Sequence, residues 1–509
     1  MYYSDPTLRS DFRRLALAAF AGALAPLSFS PIDWWPLALL SAAVFYVLLQ
    51  NTSPRRAALL SWCYGFGLFG AGVSWVYVSI HDYGNAPPAL AGLLTLLFVA
   101  GLALLTALQG WIYRRFGSGG HPVLGFAACW VLGEWFRSWF LTGFPWLYLG
   151  SAHVTTLFSG VAPLFGVLGI SFIVALSAAL LGECWRRYRK LPSLLALVHS
   201  HVPTMLLLLW IVAIAPRNVN WVEPAGTLDV GIVQANIAQD LKFDSNELQS
   251  NLRTYVELST PLWSKDLVLW SETAVPLRYD ESVPIVMQLD ELARGTGTAL
   301  LTGIYAETGE GTHNSIVALG DGTGLWHKRK LVPFGEYTPL RTLSAGVLDL
   351  FDLQMGGGVV PGPRTQGILT AKGHNVAPFI CYEVVYPDFV REHARNAALL
   401  VTISNDTWFG RSWGPPQHLQ MAAMRARENG RYMVRATNNG ISALINERGE
   451  VVARAPQFEA ATLSGTVQLF SGRTPWSRWG DWPLLALCGV LVLLNLVQIR
   501  LPFLTGRNR

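Results

Sequence analysis

The chain has 509 residues, of which 51% are hydrophobic and only 14% charged, with a formal net charge of +5. Soluble domains carry about 25% charged residues, so a wholly soluble enzyme is excluded as a first expectation. The positive surplus is mild and sits beside apolar runs without aromatic interleaving, which argues against a nucleic-acid surface.

In chain order, apolar stretches long enough to be membrane-crossing helices fall at roughly 12–29, 34–50, 57–79, 88–113, 122–142, 161–185, 192–214 and 482–500. Lys and Arg cluster at alternate ends: Arg9, Arg13 and Arg14; Arg55 and Arg56; Arg114 and Arg115; Arg186, Arg187, Arg189 and Lys190; then Arg500, Arg507 and Arg509. Positive charge stays on the cytoplasmic side. The pattern therefore predicts cytoplasmic termini, seven spans in residues 1–215, and a large domain at 216–480 on the far side of the membrane. In a bacterium that side is the periplasm. Residues 481–509 add a last span and a cytoplasmic tail.

Residues 216–480 alternate short apolar runs with amphipathic ones. Strands are expected at 228–234, 267–270, 300–304, 315–319, 376–382, 399–404, 432–436, 442–445 and 462–467, and helices at 246–263, 283–294, 387–396 and 416–429. This is the pattern of an α/β layered domain. Leu340–Val360 is unusually apolar and ends in a glycine run. It reads equally as a mobile lid, a lipid contact or a buried connector.

Cys381 is the only cysteine outside the long apolar segments, so its thiol has no disulfide partner within the polar domain. It is either inert packing or a nucleophile. Glu272 follows the 267–270 run, and Lys328 lies in a basic stretch before Leu331-Val332-Pro333-Phe334-Gly335-Glu336. A thiol, a carboxylate and an ammonium are the groups that acyl transfer needs as nucleophile, base and oxyanion cation. A carboxyl with a raised pKa is the expected acceptor of the thiol proton. No zinc-type Cys/His spacing or phosphate-cradling glycine motif occurs.

The stretches Trp270–Pro276, Lys328–Glu336 and Phe379–Glu383, with Ser404–Gly410 and Ala436–Ser442, resemble the Glu-Lys-Cys signature of the nitrilase superfamily. Together with the apolar N-terminal half and the C-terminal span, the whole chain resembles the apolipoprotein N-acyltransferases of Gram-negative bacteria. The resemblance implies a polytopic α-helical membrane domain joined to a nitrilase-like αββα sandwich in the inner membrane. It implies Cys381 as nucleophile, Glu272 as general base and Lys328 as oxyanion cation, with Lys330 as the rival for Lys328. Glu336 would orient the lysine or assist proton transfer, and Tyr382 and Glu383 would support the nucleophile. Phe243, where the family can carry Trp, is a candidate substrate contact. The acyl donor would be a membrane phospholipid and the acceptor a diacylglyceryl-modified apolipoprotein, with no metal or diffusible cofactor and no nucleic-acid partner. A membrane-tethered amidase acting on a small soluble substrate is the competing enzyme reading. A transporter or a non-catalytic binding domain is the reading from another class.

Overall fold

The computed structural model describes residues 6–190, 200–244, 246–337 and 358–504, so most of Leu340–Val360 lies outside the described residues. The chain divides into two compact units. The first comprises Met1–Tyr77, Pro87–Val219 and Trp479–Arg509, and the second Val78–Ala86 with Asn220–Arg478.

The first unit is helical. Its principal helices are Pro6–Leu24, Pro36–Leu49, Pro54–Gly72, Pro88–Ile112, Pro122–Arg137, Ala162–Tyr188, His201–Ile214 and Trp482–Leu504. Five of these begin on proline, whose fixed φ suits a first helical turn and whose missing N–H would be unsatisfied there anyway. Glycine lets Pro6–Leu24 and Pro54–Gly72 touch backbone to backbone: a Cβ at Gly67 would lie 1.9 Å from the Ala19 carbonyl oxygen. Among the described residues, three helical stretches are long and apolar enough to cross a membrane: Pro88–Gly117, Leu157–Tyr188 and His201–Asn218. Pro54–Gly72 with Trp75–Tyr83 makes a fourth if that broken pair counts as one span, and Pro36–Leu49 and Trp482–Val497 are shorter apolar helices.

The second unit is built on two mixed sheets. In the first, the strands run in the order Ala461–Ser471, Glu223–Gln234, Leu267–Leu269, Ala299–Thr308, Gly311–Gly320 and Leu325–His327, with Val275–Arg278 also pairing Ala299–Thr308. In the second, the order is Val451–Arg454, Ala443–Ile445, Met433–Thr437, Leu399–Ser404, His374–Ile380, Leu369–Ala371 and Gly322–Thr323. The centre of each sheet is three parallel strands. Strands covered on both faces read as continuous apolar runs, and Leu399–Ser404 and Met433–Thr437 are buried at every position. Helices Leu248–Ser259 and Tyr279–Thr296 pack on the first sheet, and Pro387–Ala394 and Gly414–Asn429 on the second. The core beneath the first pair of helices includes Tyr255, Val268, Trp270, Leu289 and Leu300. Trp270 is fully buried and donates its indole N–H to Ser259 Oγ at 2.8 Å.

Val78–Ala86 belongs to this second unit. Ser79 Oγ donates to the Trp408 carbonyl at 2.7 Å, and the Tyr83 ring meets Trp408 edge-on with centroids 6.0 Å apart.

Candidate active site

Parallel strands deliver their carboxyl ends to one edge of a sheet, where α/β proteins place ligands. Glu272 follows Leu267–Leu269, Cys381 follows His374–Ile380, and Asn405 follows Leu399–Ser404. Lys328 comes directly after Leu325–His327. Its N–H donates to the Asn314 carbonyl at 2.8 Å, which sets the Lys328 and Asn314 side chains next to each other. The chain must pass Gly303 closely to bring Glu272 in, because a Cβ there would sit 2.3 Å from the Thr273 nitrogen.

Lys328 Nζ donates to Glu336 Oε1 at 2.8 Å and to Glu272 Oε1 at 3.2 Å. Asn314 Nδ2 makes the same two connections, at 2.8 Å to Glu272 Oε1 and 3.2 Å to Glu336 Oε1. The other oxygen of Glu272 accepts the Asn405 N–H at 2.7 Å, and the other oxygen of Glu336 accepts the Val332 N–H at 2.8 Å. Both carboxylates are thereby fixed in orientation. Lys330, the sequence rival, turns elsewhere: its Nζ lies over the Tyr386 ring, 4.8 Å from the centroid.

Cys381 opens a sharp strand-to-helix turn with φ +51°. A residue with a Cβ pays on the order of 1–2 kcal/mol for that left-handed conformation, so the surroundings must hold it. His418 Nε2 lies 3.2 Å from the Cys381 carbonyl oxygen. A carbonyl only accepts, so that nitrogen carries the proton. His418 Nδ1 lies 3.0 Å from Asp406 Oδ1 and 3.1 Å from Arg435 Nη2, and the same Arg435 nitrogen donates to Asp406 Oδ2 at 2.7 Å. Ser404 Oγ donates to Asp406 Oδ1 at 2.6 Å. Glu383 is fully buried and accepts N–H groups from Ile380 at 2.8 Å, Arg329 at 2.7 Å and Lys330 at 3.3 Å. Tyr382 is buried against the edge of Tyr386. Phe243, by contrast, is 51% exposed.

Residues 21–180 match the family model of the apolipoprotein N-acyltransferase N-terminal domain, and residues 229–474 that of the carbon-nitrogen hydrolases. The apolipoprotein N-acyltransferase of Pseudomonas syringae pv. tomato is 46% identical over 487 residues, covering 93% of this chain and 95% of that protein. The chain belongs to the apolipoprotein N-acyltransferase family. Relatives with the same name from Azotobacter vinelandii (47% identity; 94% of this chain, 93% of theirs) and Coxiella burnetii (39%; 94% and 99%) are similar over comparable lengths. Among solved structures, a carbon-nitrogen hydrolase from Helicobacter pylori aligns with 55% of this chain and 95% of its own, at 15% identity and a TM-score of 0.36.

In this member of the apolipoprotein N-acyltransferase family, electrostatics correct one expectation. Burial alone would raise the Glu272 carboxyl, but the Lys328 and Lys242 ammoniums and the Asn314 amide outweigh it and hold it below its usual range. The shift runs opposite to the raised pKa expected of this base, and the resting carboxyl is ionised. Burial likewise opposes the Lys328 charge, yet Glu272 and Glu336 drive its pKa well above the ordinary value. The Cys381 thiol is pushed up to about 12, by burial first and then by the Glu272 charge. The resting pair is thus a thiol beside an ionised carboxylate, the starting state for general-base activation.

Three partners of this site lack a signal in the sequence pattern: Asn314, His418 and Arg435. Asn405 and Asp406 fall in a stretch whose resemblance was visible, without a role attached. Among the described residues, no group of three His, Cys, Asp or Glu side chains could hold a metal ion.

Proposed function

We propose that this protein moves a fatty acyl chain from a membrane phospholipid, through a thioester on Cys381, to the α-amine of the diacylglyceryl-cysteine that begins an apolipoprotein. The supporting observation is the buried Lys328 ammonium shared by Glu272 and Glu336 at the strand ends that also present Cys381. Glu272 takes the thiol proton as the sulfur attacks the ester carbonyl. Lys328 offers its positive charge to the tetrahedral oxyanion. Collapse expels the glycerol oxygen, which takes the proton from Glu272 and leaves as lysophospholipid. The acceptor amine then attacks the thioester, Glu272 accepts its proton, and the proton returns to the departing Cys381 sulfur.

Both substrates are held in a bilayer, so an enzyme for them gains from being held there too. The alternating clusters of basic residues support an inner-membrane protein with about seven spans in residues 1–215 and one after 481, and the apolar helices of the first unit are consistent with a membrane protein. In that arrangement the termini are cytoplasmic and residues 216–480 periplasmic. Exposed Phe243 is then an apolar contact for acyl chains.

The test uses the full chain in mixed phospholipid–detergent micelles with a diacylglyceryl-cysteinyl peptide. The peptide should gain one acyl chain for each lysophospholipid released. Release of free fatty acid with the peptide unmodified, or hydrolysis of soluble amides at comparable rates, would contradict the reading.

A further inference from the structure

Lys328 is shared between two carboxylates, so Glu272, Glu336 and Lys328 together carry one uncompensated negative charge. A thiolate or oxyanion formed beside them would add a second. Arg435 offers no relief, since Asp406 already balances it.

Lys242 ends the short helix Gln239–Lys242 and is 3% exposed, although its neighbour Phe243 is open to solvent. Its Nζ donates to the main-chain oxygen of Glu272 at 2.6 Å. The ammonium interacts electrostatically with both the Glu272 carboxylate and Cys381, and burial, the largest influence, brings its pKa down to about 8. The helix it ends is itself tied to the site, because Gln239 Oε1 accepts from Asn405 Nδ2 at 2.8 Å and the Asn405 N–H binds Glu272.

We propose that Lys242 is a positioning residue for acyl transfer: it clamps the Glu272 main chain and supplies the second positive charge that keeps this carboxylate ionised while Cys381 gives up its proton. The inference rests on Glu272 being the base. The charged or titratable groups that bear on Glu272 are Lys242, Lys328, Glu336, Cys381 and Tyr305. Lys242 alone among them is a cation not bonded to a carboxylate side chain within the described residues.

The experiment follows iodoacetamide labelling of the Cys381 peptide, by mass, in full-length protein in detergent over the part of the range from pH 2 to pH 9 in which each protein stays folded. Wild type, Glu272→Gln, Lys242→Met, Lys242→Gln and Lys242→Arg are compared, each checked for folding by thermal melting. Wild type should show an acid limb that Glu272→Gln lacks. Both neutral Lys242 variants should move that limb to higher pH and lower the plateau about tenfold, as expected for losing a nearby opposite charge. Lys242→Arg should keep the limb in place. A folded neutral variant with a lowered plateau but an unmoved limb would reduce Lys242 to a structural brace and overturn the proposal. Should Lys242→Met not fold, Lys242→Gln and Lys242→Arg decide it, and equal limb shifts in these two would also overturn it. An acid limb that persists in Glu272→Gln would instead remove Glu272 as base, and the proposal with it.

Discussion

Glu383 accepts the Arg329 N–H at 2.7 Å, and this bond joins the loop that carries Lys328 to the strand end that carries Cys381. The same side chain holds the Ile380 N–H, so the nucleophile and the cation share a buried anchor. Its carboxyl is raised to about 7 by burial, against which three backbone N–H groups act in the opposite direction.

Replacing Glu383 with Ala would leave those three N–H groups without their acceptor. The Ile380 bond is buried and the other two are part-buried; a buried unsatisfied group costs about 1–3 kcal/mol, so a loss of at least about 1 kcal/mol is expected. The melting temperature should fall by several degrees, and acylation of Cys381 should fall at least tenfold even at temperatures where the protein stays folded. A variant with unchanged melting and acylation would show that the anchor is dispensable.

Glu336→Gln tests the orientation of Lys328. The amide removes one of the two carboxylates that hold the ammonium, while Glu272 and Asn314 remain. Single-turnover acylation should slow about tenfold to a hundredfold, with little change in melting. Lys328→Arg should not restore wild-type rates, because a planar guanidinium does not substitute for a compact ammonium in a buried site.

Asp406 gives a pH test of stability. Burial works against its charge, but Arg435 and His418 outweigh burial and hold the carboxyl well below the usual carboxylate range. A depressed folded-state pKa means that stability is full above the unfolded value, near 3.9, and is lost as pH falls through the folded value. Asp406→Asn should be less stable at pH 7 by about 3–5 kcal/mol, the cost of breaking a buried pair. Its stability should also decline less than that of wild type between pH 5 and pH 2. Parallel acid-denaturation curves for the two proteins would contradict the assignment.

Glu272 and Cys381 were legible because each closes an apolar run with a chemically distinctive residue, and a strand end is where such a residue meets the site. Lys328 was legible, and preferred over Lys330, through its distance to the words that follow it; the pairing of Leu325–His327 with Gly311–Gly320 sets the strand end it follows. Asn314 lies 42 residues from Glu272 in sequence, and nothing in a strand-like run marks which polar residue faces a carboxylate. Lys242 was given no role of its own, since its burial depends on packing that no local pattern encodes. The direction of the Glu272 shift was missed for the same reason: it follows from two lysines brought together by the fold. Leu340–Val360 stays outside what the structure describes, apart from Gly358–Val360, where the Val360 N–H donates to the Thr312 carbonyl at 2.9 Å.

The most direct test of the account is the intact mass of the full-length protein after incubation with phospholipid, beside Cys381→Ala. The account predicts an added fatty-acyl mass on the wild type, removed by hydroxylamine and absent from the variant. No adduct with any phospholipid, or an equal adduct on Cys381→Ala, would contradict a thioester at Cys381 and with it the proposed course of the reaction.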